Sequence, residues 1–141
     1  MLTMKTIGLG LLLSAACSSG LAATVTVRIV AVDSARKGKM MVQLCQKKDF
    51  LVRDCKFQNI GDVKSDLEVV VFNNVPDGSW GAMAFHDENG NGKLDTSTIG
   101  IPVEGTGFSR NAKGHYGPPE FASASVEVAG KAVEMKFRLN Y

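Results

Sequence analysis

A run of oxygen-bearing side chains between residues 87 and 95 has the spacing of a calcium-binding loop. The residues that carry the pattern, with the glycine at its sixth position, are Asp87, Asn89, Asn91, Gly92 and Asp95. This pattern is typical of the D-x-[DN]-x-[DN]-G opening of an EF-hand-type loop. Calcium takes about six to eight hard oxygen ligands, which alternate residues of a tightly curled loop can present to one point. The spacing therefore predicts a calcium site, to which Lys93 would add its backbone carbonyl.

The closing ligand of this loop departs from the EF-hand pattern. Thr98 stands at the twelfth position, where a bidentate Glu is expected. Glu104, after Gly100 and Pro102, is the candidate that could fold back to replace it. With so few carboxylates, we expect weak affinity, on the order of 10⁻⁴–10⁻³ M. The alternative is a plain hairpin tip, because both Asn-Gly pairs of residues 89–92 favour type I′ turns.

The first 23 residues have the pattern of a secretory leader. Lys5 supplies the positive start, Ile7–Ala16 is mostly apolar, and small residues follow as far as Ala23. These are the three regions of a cleavable signal peptide, so residues 1–23 are predicted to be removed and residues 24–141 to form the mature domain. We expect a periplasmic or secreted protein without a transmembrane segment. A lipoprotein anchored through Cys17 is the alternative, although the usual preceding Leu is missing.

Size and charge restrict the function classes. Of the 16 Lys and Arg residues, Lys5 alone lies in the leader, which leaves 15 basic and 14 acidic residues and a formal charge of +1. Such a balance gives no reason to expect binding to nucleic acid. A mature chain of this length suits one domain with one hydrophobic core.

The cysteines agree with export. Once the leader is removed, Cys45 and Cys55 remain as a pair. In an oxidising compartment such a pair is most simply a disulfide, whereas a metal or redox site would favour CxxC spacing.

The mature chain has the alternation and turn spacing of an all-β protein. In Thr24–Val32 the side chains of Val25, Val27, Ile29 and Ala31 share one face, and Trp80–His86 alternates in the same way. Residues 56–65 show little pattern and are expected to be irregular. The other predicted strands are Met40–Cys45, Leu67–Phe72, Ala124–Val128 and Val133–Asn140, with Asp49–Cys55 as a short strand or turn and the last two strands as a hairpin. About seven short strands with regular turns predict a single β-sandwich, transthyretin-like or immunoglobulin-like.

One long glycine-rich segment, residues 96–122, interrupts the strands. It carries apolar residues such as Ile99, Ile101, Phe108, Tyr116 and Phe121, which predict that it packs against the sandwich. Because each ordered residue costs about 1–2 kcal/mol, an ion at the base of this segment would help to order it.

Four segments together resemble a known family. Asn74–Trp80, Phe85–Asp95, Gly100–Ser109 and Gly117–Phe121 resemble the domain-of-unknown-function 2141 family of small exported bacterial proteins. The turn-then-strand unit is also similar to transthyretin-like and carboxypeptidase-regulatory-like β-sandwiches. The loop resembles calcium sites in B-repeats of bacterial surface adhesins. This resemblance implies that the loop residues named above, with the carbonyl of Lys93, surround the ion.

Other kinds of site are less well supported by the residue types. His86 and His115 could hold a transition metal, but their spacing does not match a known site. Ser109 lacks the second glycine of a nucleophile elbow, so no enzyme is expected. An aromatic platform for sugars or a protein partner would use Trp80, Phe108, Tyr116 and Phe121, which in a small sandwich more often fill the core.

The sequence therefore predicts an exported, non-enzymatic β-sandwich module with a calcium-ordered loop. Its partner would be an unidentified protein or a component of the cell envelope. The alternative is a small-molecule or glycan-binding protein that uses the glycine-rich loop, with His86, Phe108 and Tyr116 as the ligand-contacting residues.

Overall fold

A computed structural model describes residues 20–52 and 55–141. The predicted leader up to residue 19, including Cys17, lies outside the described residues. Within the described part the chain forms eight strands, so the predicted all-β sandwich is confirmed. The strands are β1 (Ala23–Val30), β2 (Lys39–Cys45), β3 (Phe57–Asp62), β4 (Leu67–Val75), β5 (Gly78–Asp87), β6 (Thr106–Phe108), β7 (Ser125–Val128) and β8 (Val133–Arg138).

The helical content is small. One α-helical turn, α1, spans Phe121–Ala124, and 3₁₀ turns span Ser34–Arg36 and Ser109–Asn111. None of these helices in the described ranges has the length and apolar character needed to cross a membrane.

The strands form two sheets. The first has the order β4-β1-β8, in which β1 is antiparallel to β4 and parallel to β8. The second has the order β3-β2-β5-β6, and β7 pairs with the first half of β5 while β6 pairs with its second half. The short turn at Pro76-Asp77 carries the chain from the first sheet, at Val75, to the second, at Gly78.

The core lies between the sheets, and it is built by the alternation seen in the sequence. Val25, Val27 and Ile29 of β1 are fully buried, and Trp80 on β5 faces them from the other sheet. The indole N–H of Trp80 donates to the carbonyl of Pro76 at 2.9 Å, which satisfies its one polar atom.

Two strand predictions were wrong in detail. The first strand ends at Val30, because Ala31 adopts a left-handed conformation (φ 58°), and Val32 is buried instead of Ala31. The segment expected to be irregular contains β3, an edge strand that pairs with β2 while most of its side chains face solvent. Edge strands of this kind lack the buried face that creates alternation.

The predicted hairpin at the end of the chain is also wrong. β7 belongs to the sheet of β5, whereas β8 crosses to the other sheet and runs parallel to β1. Successive strands pair with one another often but not always, and sequence alternation does not reveal which sheet receives a strand.

The Cys45–Cys55 disulfide is present, with the two Cα atoms 5.2 Å apart. It anchors a turn, rather than a strand, at residues 47–52, and it lies in a second apolar cluster with Phe50 and Ala124. Phe108 and Phe121 pack against this cluster. The long segment is therefore only partly packed, because Ile99, Ile101 and Tyr116 are exposed, contrary to the prediction.

Candidate functional site

The predicted calcium loop starts at the end of an interior strand. Asp87 is the last residue of β5 and pairs with Lys39, the first residue of β2. Its side chain is almost completely buried, at 2% exposure. The loop therefore leaves the sandwich with its first carboxylate already fixed in position.

The Asp87 carboxylate organises the turn that follows. One oxygen accepts the N–H of Asn91 at 3.1 Å and the other accepts the N–H of Gly92 at 2.8 Å. Gly90 and Gly92 both have positive φ, 71° and 76°, a conformation that glycine adopts without steric cost. These glycines curl the backbone around the carboxylate.

The two asparagines point their amides toward Asp95. The Nδ2 of Asn89 donates to Asp95 at 2.5 Å, and the Nδ2 of Asn91 donates to both Asp95 oxygens at 3.0 and 3.1 Å. Their Oδ1 atoms accept backbone N–H groups two residues further on, from Asn91 and Lys93. Such Asx turns tighten the loop.

Glu104 folds back to the loop, as its position in the sequence suggested. One of its oxygens accepts the N–H of Glu88 at 2.9 Å and the other accepts the N–H of Asp95 at 3.0 Å. The N–H of Val103 also donates to the carbonyl of Asp95 at 3.0 Å. Through these hydrogen bonds Glu104, which is only 5% exposed, joins the two ends of the loop.

The loop carries the oxygen atoms that calcium prefers, but in this structure its carboxylates accept hydrogen bonds from backbone and side-chain amides. Among the described residues, no three His, Cys, Asp or Glu side chains converge as a metal-binding group. Asp87 and Glu104 are buried without an ion pair to a basic side chain in the described part of the chain. Calcium binding would therefore depend on Asn oxygens and a backbone carbonyl in addition to carboxylates. Thr98, at the twelfth position, is exposed.

His86 has a structural environment. It is fully buried, its Nδ1 lies 2.7 Å from the hydroxyl of Tyr141, and its Nε2 contacts the carbonyl of Lys37. The Lys37 carbonyl can only accept, so Nε2–H donates to it. In that tautomer Nδ1 accepts from the Tyr141 hydroxyl, whose oxygen also accepts the N–H of Asp33 at 2.8 Å. Both ring nitrogens are used, and the ring offers no free atom to a ligand or a transition metal.

The partner of His86 was not predicted from the sequence. Tyr141 packs edge-on against the His86 ring at 5.8 Å, and the Arg36 guanidinium lies 4.4 Å from the centre of the tyrosine ring. Arg36 also pairs with Asp33 and with Glu88, the residue after Asp87. Residues this far apart in sequence carry no local signal for such a contact.

Because of Tyr141, the free energy of unfolding should depend on pH in the alkaline range. Burial of the hydroxyl raises the pKa of Tyr141 above its ordinary 10.0, so the folded protein holds the proton more tightly than the unfolded chain does. The free energy of unfolding is expected to be unaffected below pH 10 and to fall as the pH rises through the folded-state pKa. Urea unfolding across this range checks the expectation, and Tyr141→Phe should remove the tyrosine contribution. A steeper fall in the variant than in the parent protein would contradict it.

The two aromatic candidates lie in different environments. Phe108 is half-buried, with its ring centroid 6.1 Å from that of Phe50, while Tyr116 is fully exposed. Both line one wide groove. Trp80 is in the core, so the four aromatic residues do not form a single platform.

Ser109 is a packing residue. Its buried hydroxyl accepts the N–H of Ala82 at 2.9 Å and lies 2.5 Å from the carbonyl of Ala124, to which it donates. The hydroxyl thus joins β5 to α1 and is saturated by the backbone.

Comparison with known proteins gives one match. A sequence-family model described as "Uncharacterized protein conserved in bacteria (DUF2141)" matches residues 27–136, which include most of the sandwich and the whole of the loop. No curated protein and no solved structure matches the chain.

Proposed function

Because the chain belongs to the DUF2141 family of bacterial proteins, we propose that it is an exported, non-enzymatic β-sandwich module that binds calcium through the loop of residues 87–95. The leader pattern and the disulfide support a periplasmic or secreted location. The module would then bind an unidentified protein or another component of the cell envelope.

One observation carries the calcium proposal. Five oxygen-bearing side chains that are spread over 18 residues form one hydrogen-bonded network, and two of its carboxylates are buried. They are Asp87, Asn89, Asn91, Asp95 and Glu104. Burying a carboxylate is costly unless it is hydrogen-bonded or paired with a cation. Here the hydrogen bonds to the two buried carboxylates come from backbone amides, and no basic side chain among the described residues forms an ion pair with the cluster.

Calcium would offset two of the cluster's three negative charges. Asp87, Asp95 and Glu104 supply three formal charges, and the Asn oxygens and the Lys93 carbonyl supply neutral ligands. Rotation of the two Asn side-chain amides would break their hydrogen bonds to Asp95 and turn the amide oxygens toward the ion. A site of this charge is expected to be weak, with a Kd on the order of 1 mM, in the range of extracellular modules.

The role of the ion would be to hold the long segment that follows the loop. Residues 96–105 have few ladder hydrogen bonds, and Glu104 is the residue that returns the segment to the start of the loop. Calcium bound among these carboxylates would fix both ends at once.

Titration of the chelator-treated protein with calcium tests the proposal. At about ten times Kd, binding stabilises the folded state by about 1.4 kcal/mol, which corresponds to a rise in Tm of about 5 °C for a domain of this size. We expect this rise in differential scanning fluorimetry, with matching heat in calorimetry. Asp87→Asn should abolish it, while Glu120→Gln, which removes an equal charge from an exposed site, should not. No heat and no change in Tm up to 10 mM, roughly ten times that Kd, would refute the site.

A second function is favoured by a different observation. The groove that contains Phe108 and Tyr116 is large enough to hold a small molecule, which supports a ligand-binding role for the face of the sheet next to the loop. The two functions are compatible, because one wall of the groove begins at Gly92.

A further inference from the structure

The groove lies on the outer face of the five-stranded sheet. Its floor is made by side chains that point away from the core, on β2, β5 and β6, and its volume is about 1290 Å³. The floor residues are Met41, Met83, Phe85 and Phe108. One wall is formed by the segment 92–102, and the other by the segment 112–119. Leu51 and Val52, beside the disulfide, complete the rim.

The apolar surface of this groove is more than the fold requires. The four floor side chains are only half-buried, and Ile99, Ile101, Leu51 and Val52 on the walls are 45–79% exposed. Apolar residues scattered singly over a surface need no explanation, but a continuous concave patch marks a binding site. Methionines suit such a floor, because the flexible thioether side chain adapts to an irregular or mobile apolar partner.

The charge of the lining is of one sign. The basic residues around the groove are Lys93 on one wall, and Lys113 and His115 on the other. No Asp or Glu belongs to the lining formed by the described residues. Neither lysine forms an ion pair with a described residue. An apolar floor below unpaired cations fits a ligand with an apolar body and a negative head.

We propose that this groove binds a single-chain anionic amphiphile, that is, an alkyl chain that ends in a carboxylate or phosphate. The chain would lie along the methionine and phenylalanine floor, and the head would lie between Lys93 and Lys113 at the mouth. This inference gives a ligand class to the second function above. The floor and the wall of residues 112–119 lie outside the calcium loop, so the groove can be tested without calcium, although the other wall is the segment that calcium is proposed to hold.

A glycan fits this surface less well. Sugar binding needs flat exposed aromatic faces together with many directed polar groups. Here the exposed aromatic residue is Tyr116, at the rim, while Phe85 and Phe108 are half-buried in the floor. Oligosaccharides are therefore included as competitors, so that glycan binding would be detected.

Displacement of dansylundecanoic acid, a fluorescent fatty acid, tests the proposal. The assay uses the protein in EDTA, so that failure of the calcium site leaves the result readable, with all competitors below their micellar concentrations. Dodecanoate and dodecyl phosphate should displace the probe at least about tenfold more effectively than dodecyltrimethylammonium or dodecyl maltoside. Affinity should rise with chain length, by up to about fourfold for each methylene. A comparison of hexadecanoate with lysophosphatidylglycerol then separates a free fatty acid from a lipid source.

Two matched pairs of variants locate the site. Ile99→Asp on the groove wall should weaken probe binding about tenfold, and Val71→Asp, an exposed valine of β4 in the other sheet, should not. The double reversal Lys93→Glu/Lys113→Glu should remove the preference for anionic heads, whereas Lys64→Glu/Lys131→Glu should retain it.

Three results would overturn the proposal. They are no saturable probe binding, equal displacement by all four head groups, or equal losses in the groove and control variants. Displacement by oligosaccharides but not by dodecanoate would replace it with the glycan-binding alternative.

Discussion

Gly38→Ala is expected to lower the free energy of unfolding by about 3 kcal/mol. Gly38 precedes β2 with φ 89°, a conformation that costs an L-residue about 1–2 kcal/mol. A Cβ at this position would also lie 2.8 Å from the Cα of Glu88 and would collide with the carbonyl of Asp87. Both obstacles are backbone atoms at the end of β5, where the ladder with β2 holds Asp87 and the Glu104 carboxylate binds the N–H of Glu88. They cannot move aside without strain, which adds about 1–3 kcal/mol.

Gly100→Ala provides the control for this substitution. Gly100 has a similar φ of 80°, but a Cβ there would meet nothing within 4 Å. It should therefore show only the conformational cost, and the difference between the two variants in urea unfolding measures the collision. Equal destabilisation would mean that the backbone at Asp87 shifts to admit the Cβ at little cost. The start of the loop would then not be held in position by the β2–β5 ladder.

Glu104→Ala is expected to have the second large effect, on both stability and calcium binding. Its two oxygens accept backbone N–H groups at opposite ends of the loop, and each hydrogen bond to a buried charged group contributes about 1.5–3 kcal/mol. We expect a loss of about 3 kcal/mol in the free energy of unfolding without calcium. With calcium, the remaining stabilisation should fall further, because affinity depends on the number of charged ligands.

The two effects can be measured separately. Urea unfolding in EDTA gives the structural cost, and the shift of Tm with calcium gives the binding cost, which should correspond to at least about a tenfold weaker Kd. Glu120→Ala, an exposed glutamate outside the loop, should change stability by less than about 0.5 kcal/mol. If Glu104→Ala loses stability but keeps the full calcium response, Glu104 is a structural fastener and not a ligand.

The elements with a buried face could be predicted from the sequence. The alternation of Val25, Val27 and Ile29 predicted a strand whose shared face is the core face of β1. The alternation of residues 80–86 predicted β5, and its core face carries Trp80, Ala82 and Ala84. The reason is that side chains of a strand point alternately to either side, so one-sided burial appears directly as a period of two. β3 was missed because most of its side chains face solvent, and pairing through the backbone alone creates no such period.

Within the candidate site, contacts between residues close in sequence could be predicted, and contacts between distant residues could not. The turn around Asp87 depends on residues four and five positions further on, and its glycines mark where the backbone must curl. Glu104 could be proposed from its position after a turn, but its bonds to both ends of the loop appear only in the folded chain. The contact of His86 with Tyr141 spans 55 residues and had no signal in either segment.

The sequence by itself determined the all-β class, the curled acidic loop and the Cys45–Cys55 pair, because these depend on short-range periodicity, turn chemistry and the count of cysteines. The tertiary structure decided which sheet each strand joins, including the separation of β7 from β8. It also decided that half-buried side chains of three strands line one basic-rimmed groove. Both follow from pairings between residues far apart in the chain, whose free energy depends on how the whole sandwich closes and not on any single segment.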